Sequence, residues 1–530
     1  MQRRLTLLLV VVVLIVIGLL PLATMLARSI VVDGRFTVGV YEKLFGEPGR
    51  YWTPIGHSLA LATLTASCAT ALGVALGLLL GKTDLPWRRT LSVLLSFPLL
   101  IPPYFLAVCW FNLLGSRGLL VRVITVEAGE VLERSLFGLG GCLWVLVSAF
   151  LPIVMILTVV YLHAVDPRLE EAGRMIARWP GVLRHITLPI MLPGLLFGGI
   201  VVFLLALGEV GVPMFLRYAV YPVETLTHFS AFYDFGAAAA SATPLLAITL
   251  LVLALERRYL RDRTYRLQPT TPGRRILLVP LGRWRVPTLL VVSLLAGLIV
   301  FAPLLALVAA SVSPSAYMEA WSKAADSLER SLMWAVVGAS LLTILGFFCG
   351  YLIRNRALWL WRSVDTLTLL LFTLPGTVIG VGLIALWNRT GTGFIYGSAA
   401  IVIVAYVAQY TALTSRITVA ALGSVSPSLE EAAQLAGVPW LVRIGYVVLP
   451  AALPGVVGAW LIGFIFCLRD FGASMLVYPA GQDTLPVRIF TLMANGAPSL
   501  VSAVCVMLLA ATMLSLAIVG CLLRAARSHR

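Results

Sequence analysis

Twelve apolar runs recur along the chain, at residues 5–27, 55–80, 90–114, 138–162, 194–216, 237–255, 286–312, 331–353, 364–387, 398–421, 455–478 and 499–523. Each is near the length of about 20 residues that a helix needs to cross hydrocarbon. A helix keeps its backbone hydrogen bonds inside the segment, so a chain built from such runs reads as an all-α membrane protein solvated by lipid. Composition agrees: only 12% of the 530 residues are charged and 60% are hydrophobic, where a soluble domain carries roughly 25% charge. The first run follows Arg3 and Arg4. It exceeds a signal-peptide core of roughly 7–15 residues and lacks a small-x-small cleavage site, so we read it as a retained helix.

A net charge of +16 would point to nucleic acid if it formed a patch. It does not. With the N-terminus inside, 26 of the 39 Lys and Arg residues fall on that side's loops, and the opposite loops balance 12 basic against 12 acidic residues. Basic residues accumulate on the cytoplasmic side of membrane proteins. The excess therefore predicts both termini in the cytoplasm and no nucleic-acid partner. The seven cysteines lie in or beside apolar runs without a CxxC pair and read as small hydrophobes.

The chain repeats itself. Asp166-Pro-Arg-Leu-Glu-Glu-Ala172 recurs as Ser426-Pro-Ser-Leu-Glu-Glu-Ala432, an offset of 260. Leu188-Pro189 and Leu192-Pro193-Gly194 recur as Leu449-Pro450 and Leu453-Pro454-Gly455, an offset of 261. Ser58-Leu59, Gly73, Gly77 and Pro102 align with Ser331-Leu332, Gly346, Gly350 and Pro375 at an offset of 273, the difference falling in loop 115–137, which shortens to 388–397. The spacing predicts two parallel six-helix halves, 1–255 and 286–530, joined by a basic cytoplasmic linker at 256–285. Their pseudo-twofold axis would run along the membrane normal.

Two decoys are set aside. Gly77-Leu-Leu-Leu-Gly81-Lys82-Thr83 has three residues between its glycines where a phosphate loop needs four, and follows a helix instead of a strand. Gly73, Gly77 and Gly81, four apart, read as small-residue packing between helices. The five histidines form no ligand pair, and no catalytic residues or metal site is expected.

The loop between the fourth and fifth runs of each half has helical grammar of its own. Asp166 can cap and Pro167 can occupy the first helical position, with Glu170 and Glu171 in the first turn; Ser426, Pro427, Glu430 and Glu431 repeat this. The expected breaks are at Pro180 and Pro439. A surface helix that only seals the bundle does not require the same glutamates and the same Leu-Pro stop in two places.

These residues resemble a known family. Glu431-Ala432-Ala433, Gly437 and Leu449-Pro450 look like the EAA loop of membrane subunits of binding-protein-dependent type I ABC importers, and Glu171-Ala172-Gly173 with Leu188-Pro189 is similar. The resemblance implies a cytoplasmic coupling helix in each half that docks in a groove of a separate ATPase dimer. The first copy departs at Ala177, where the family glycine would fall, so the second copy is expected to keep the family's docking geometry more closely.

Glu209, in Gly208-Glu209-Val210-Gly211, and Asp470, in Arg469-Asp470-Phe471-Gly472, each lie fifteen residues beyond the repeated Pro-Gly. Ionisable residues within spans cost roughly 2.5–3.5 kcal/mol on insertion scales and usually face the bundle interior. The run lengths place both in the outer half of the fifth span of each half. These segments resemble the family's fifth-helix signature near the translocation path. Two readings stand: a polar constriction, or a structural cluster neutralised by Arg469. The loop 217–235, with Tyr218, Tyr221, Glu224, His228, Tyr233 and Asp234, reads either as a docking surface for a binding protein or as an interfacial aromatic belt.

The resemblance implies the fused permease subunit of an ATP-driven importer in the inner membrane. It binds no cofactor itself, ATP being held by the partner ATPase, and a soluble binding protein delivers the cargo. The ferric-iron branch is the most similar, with thiamine, phosphonate and polyamine permeases as relatives. The alternative from another class is a gradient-driven secondary transporter, which can also have parallel six-helix halves.

Overall fold

The computed structural model describes residues 2–32, 35–46, 49–115, 118–121, 126–230, 234–260, 276–423 and 425–528. Half of the expected linker (261–275), parts of loop 115–137 and Tyr233 lie outside the described residues. Within them the regular structure is helical apart from a short antiparallel ribbon, Val31–Val32 against Arg35–Phe36, and one isolated bridge between Thr83 and Val279.

Besides the helices Gly39–Phe45 and Val126–Leu136, the first part of the chain holds α1 (Gln2–Ile30), α2 (Trp52–Lys82), α3 (Arg88–Leu100), α4 (Pro103–Leu114), α5 (Leu139–Leu162), the short α6 (Pro167–Ile176), α7 (Trp179–Leu207), the short α8 (Gly211–Phe215) and α9 (Tyr221–Ser230), and α10 (Phe235–Tyr259). There follow, besides the helix Gly393–Tyr396, α11 (Gly282–Ala310), α12 (Pro314–Arg354), α13 (Trp361–Thr373), α14 (Gly376–Trp387), α15 (Ala400–Gly423), the short α16 (Pro427–Leu435), α17 (Trp440–Leu468), the short α18 (Ser474–Val477), α19 (Leu485–Asn495) and α20 (Pro498–Ser528). Ten of these helices are long and apolar enough to cross a membrane. The chain is an all-α, multi-pass membrane protein.

The third and ninth apolar runs are not single helices. The α3/α4 pair bends by 104° and the α13/α14 pair by 108°. Each bend is made by two extended residues, Ile101 and Pro102 in one case and Leu374 and Pro375 in the other. A proline has no N–H to give and pushes the residue before it out of the helical region, so the helix stops and restarts in a new direction.

Four of the prolines carried inside spans stand just past a wide turn. In α1, α7, α11 and α17 one wide π-helical turn (Ile15–Leu19, Leu183–Thr187, Gly297–Phe301 and Ile444–Val448) ends two residues before Pro21, Pro189, Pro303 and Pro450. A wide turn absorbs the missing bond and the ring clash that a proline imposes on the preceding turn. The repeated Leu-Pro is therefore not a stop. It lies within a span that begins at Trp179 or Trp440 and ends at Leu207 or Leu468, instead of covering 194–216 and 455–478.

Small residues set the closest helix contacts. A Cβ on Gly73, Gly77 or Gly81 of α2 would come within 2.8 Å of Val154, 2.5 Å of Thr158 or 2.7 Å of Leu162 on α5. Gly346 and Gly350 of α12 meet Thr414 and Thr418 of α15 in the same way, at 2.6 and 2.7 Å. With no solvent-driven hydrophobic effect between helices in lipid, such close approach supplies the van der Waals contact that holds them.

Packing groups the chain into two compact units. One comprises Met1–Tyr51, Pro222–Leu246 and Pro314–Arg530; the other comprises Trp52–Tyr221 and Ala247–Ser313. Thus α1 belongs with the helices from α12 onward, where Gly18 lies against Leu371 and Pro21 approaches Gly382. The span α11 belongs with α2 to α7. There Val292 and Ala296 share a core with Leu76, Leu80, Leu91 and Leu151.

Candidate functional site

The helix α6 is built as its residues predict. Asp166 stands at its N-terminus with Oδ1 accepting from Arg168 N at 3.0 Å, and Pro167 follows. Its end differs: Ala177 and Arg178 are extended, so the break comes before Pro180, which sits in the first turn of α7. In α16 the Ser426 hydroxyl makes no cap and faces Ser428 Oγ at 2.7 Å. The two helices also leave differently. Gly437 turns the chain with φ +75°, a left-handed conformation natural to glycine, whereas Ala177 exits with φ −132°.

Adjacent glutamates have opposite surroundings. Glu171 and Glu431 are exposed, as are Ala172, Ala432, Gly437, Pro189 and Pro450; Gly173, Ala433, Leu188 and Leu449 are half-buried. Glu170, one residue earlier, is 2% exposed. Lys82 Nζ donates to its Oε2 at 2.5 Å and Thr187 Oγ1 to its Oε1 at 2.7 Å. Lys82 ends α2 and is itself buried, its ammonium 5.7 Å from the centre of the Trp179 ring.

At the corresponding point of α16, Tyr351 of α12 donates to Glu430 Oε1 at 2.6 Å, and Trp440 Nε1 donates to Tyr351 Oη at 3.2 Å. Each short helix is thus held at its first turn by the last turns of one span and the first turns of another. The chemistry is ionic in one case and a phenol–indole chain in the other. The far ends are bare and apolar: Met175, Ile176 and Leu435 are 87%, 93% and 89% exposed.

Neither Glu209 nor Asp470 lies within a helix. The spans end at Leu207 and Leu468, and the carboxylates sit in the turns that follow. Glu209 Oε1 accepts from the N–H groups of Gly211 and Val212 at 3.1 and 3.4 Å, at the start of α8. Asp470 is buried; its Oδ2 accepts from Ser474 N at 2.9 Å and Ser474 Oγ at 2.6 Å, and its Oδ1 from Tyr410 Oη at 2.6 Å. The Arg469 guanidinium stands 4.8 Å over the Phe466 ring.

These turns meet the elbows of the bent pairs. A Cβ on Gly211 would come within 2.8 Å of Tyr104, next to the Pro102–Pro103 elbow, and one on Gly376 within 2.8 Å of the Gly472 carbonyl carbon. The carboxylates fix non-helical backbone where helices restart, and the glycines let two such segments touch.

The described part of loop 217–235 contains α9 and turns two of its polar rings inward. Tyr221 and His228 are buried, Tyr51 Oη lies 3.1 Å from His228 Nε2, and Tyr218 stacks on His57 at 4.8 Å. Ser58 Oγ accepts from Tyr221 N at 2.8 Å, and Ser331 Oγ from Leu485 N at 2.6 Å. The two serines that align in sequence thus receive the first amides of α9 and α19.

Sequence reasoning missed Lys82, Tyr351 and Asp365. Asp365 is buried and paired with Arg416 at 2.8 Å. A usable signal existed for both junctions: Trp179 and Trp440 are 261 residues apart, the offset of the Leu-Pro block. Among the described residues no cluster of three or more His, Cys, Asp and Glu could hold a metal ion.

Comparison with known proteins accords with this architecture. Residues 342–528 match the family described as "Binding-protein-dependent transport system inner membrane component". Residues 342–528 are therefore similar to the membrane component of such a transport system. It is 24% identical over 462 residues to a putative ferric transport system permease protein, FbpB 1, of Haemophilus influenzae, covering 82% of this chain and 71% of the relative. The ferric transport system permease protein FbpB of Actinobacillus pleuropneumoniae is 23% identical, with 83% and 67% covered. The molybdenum transport system permease protein ModB of Escherichia coli is 28% identical over 211 residues, 38% of this chain and 90% of the relative. These relatives are permeases, the membrane components of transport systems and not enzymes.

Proposed function

We propose that this permease is the fused membrane subunit of an ATP-driven importer. On this reading residues 1–255 and 286–530 are its two halves, both termini are cytoplasmic, and α6 and α16 are the coupling helices. The observation that carries the reading is the pair α6 and α16. Two short helices are clamped at one end by buried polar side chains and present bare apolar residues at the other, where Met175, Ile176 and Leu435 are exposed. A clamped helix with an apolar tip suits insertion into a groove of an ATPase, with the exposed Glu171 and Glu431 at the rim.

The cargo we favour is ferric iron delivered by a soluble binding protein, supported by relatives named for ferric transport that span most of the chain. We place Glu209, Gly211, Arg469, Asp470 and Gly472 beside the path. Glu209, half-buried at a backbone break, is the candidate wall residue. Asp470, with both oxygens engaged, serves to hold its turn.

The test is reconstitution in proteoliposomes with candidate ATPase and binding-protein partners, following uptake of radiolabelled ferric iron. Association of the ATPase and uptake that depends on ATP are expected. Uptake driven by an ion gradient without ATPase would overturn the importer reading, and competition by thiamine, a phosphonate or a polyamine but not by iron would overturn the choice of cargo.

A further inference from the structure

The two polar junctions described above have no place in docking itself, because Glu170 and Glu430 face away from the exposed tips. Resting on the importer reading, we propose that Lys82 and Tyr351 are positioning residues for energy coupling: each ties a coupling helix to the end of one membrane span and the start of another, so that the three elements move together.

Three elements converge at each junction. Glu170 of α6 takes Lys82 from the last residue of α2 and Thr187 from the wide turn of α7. Glu430 of α16 takes Tyr351 from the last turn of α12, and Tyr351 takes the Trp440 indole from the first turn of α17. The tryptophans that open α7 and α17 both pack on the anchoring side chain, Trp179 with the Lys82 ammonium at 5.7 Å and Trp440 with the Tyr351 ring at 5.8 Å.

The arrangement is the same while the chemistry differs, which is what a mechanical requirement at the junction would leave. A close-packed interior passes displacement on with little compliance. A push on α6 therefore moves α2 and α7, and a push on α16 moves α12 and α17. Without the anchor, the apolar contacts that remain can slide. The exposed EAA-type glutamates Glu171 and Glu431 lack any such link to a span among the hydrogen bonds and ion pairs of the described residues.

The test uses the full chain with its ATPase and binding protein in proteoliposomes, comparing uptake per ATP hydrolysed for wild type, Lys82→Met and Tyr351→Phe. Each replacement should lower uptake per ATP by about tenfold while the ATPase still binds, the scale of coupling changes caused by residues that touch neither ligand. Lys82→Arg should restore the ratio, since it keeps the charge. Lys82→Met strands a buried carboxylate, so the double replacement Lys82→Met, Glu170→Gln is measured beside it, and it too should show the low ratio.

An unchanged ratio in Tyr351→Phe and in the double replacement overturns the proposal. So does a fall in uptake and hydrolysis by one common factor together with a lower unfolding temperature, which marks a merely structural role. A wild-type complex that fails to couple ATP to uptake defeats the importer reading instead, before any variant is compared.

Discussion

Tyr410 and Asp470, sixty residues apart, share a 2.6 Å hydrogen bond inside the protein. The other carboxylate oxygen of Asp470 is held by the amide and hydroxyl of Ser474. A buried carboxylate with every near donor engaged behaves as a fastener for the turn between α17 and α18. Tyr410→Phe keeps the ring and removes one donor. It should lower stability by about 1–3 kcal/mol, the usual cost of stranding one buried polar group. Unfolding of the purified protein in detergent measures it, and an unshifted midpoint would show that the carboxylate finds another donor.

The elbow at Gly376 has no room for a side chain. A Cβ there would stand 2.6 Å from Ala473 N and 2.8 Å from the Gly472 carbonyl carbon, both backbone atoms that cannot swing aside. Gly376→Val should cost about 3 kcal/mol or more and reduce the amount of folded protein. Gly458→Ala in α17, where nothing lies within 4 Å of the added carbon, should instead be neutral or stabilise by roughly 0.5–1 kcal/mol. Equal effects of the two replacements would contradict the packing described.

The apolar tips of α6 and α16 should matter to binding and not to folding. Ile176→Asp and Leu435→Asp place a charge where the side chains are 93% and 89% exposed, so the unfolding temperature should not move. Association with the ATPase should weaken at least about tenfold for each, as losing a central anchor costs about 2 kcal/mol or more at an interface. Normal ATPase binding by both variants would remove these tips from the docking surface.

The cluster at α9 should make stability depend on pH. Burial, then the positive charge of Arg50, hold the His228 imidazole below its ordinary value of 6.5, partly opposed by Asp234. The folded protein therefore resists a proton that the unfolded chain accepts, and stability present above pH 6.5 is lost as pH falls below it. Glu224 is shifted the other way, raised from 4.5 by burial with Arg50 opposing. Its contribution is full below 4.5 and fades as pH rises through the raised value. Thermal unfolding followed from about pH 7.5 to 5.5 should fall for the wild type and flatten in His228→Gln. An identical slope in the variant would place the titration elsewhere.

Hydropathy located the membrane segments because lipid demands long apolar stretches, and helical grammar located α6 because Asp166 and Pro167 act on adjacent residues. Direction was not legible. The residues on either side of Pro102 and Pro375 are equally apolar, so a bent pair and a straight span have one hydropathy profile. The apolar run also continues past Leu207 and Leu468, which placed Glu209 and Asp470 inside helices that had already ended. Lys82 read as the end of a false phosphate loop and as one more orienting charge, since its partner Glu170 lies 88 residues away and nothing local connects them. Repeated Leu-Pro looked like a stop because the turn that accommodates it is made by Leu183–Thr187, whose residues carry no special mark.

The interleaved packing has a consequence for how the protein is made. The first span enters the membrane early, yet the residues that receive it, Leu371 against Gly18 and Gly382 against Pro21, are translated some 350 positions later. At about 5–20 residues per second the newborn α1 waits on the order of tens of seconds in lipid before its neighbours exist. By then Trp52–Tyr221 and Ala247–Ser313 have been completed as a set. Cutting the message between α10 and α11 would therefore yield two fragments that each lack helices of both packing units, and only their simultaneous synthesis should restore either one.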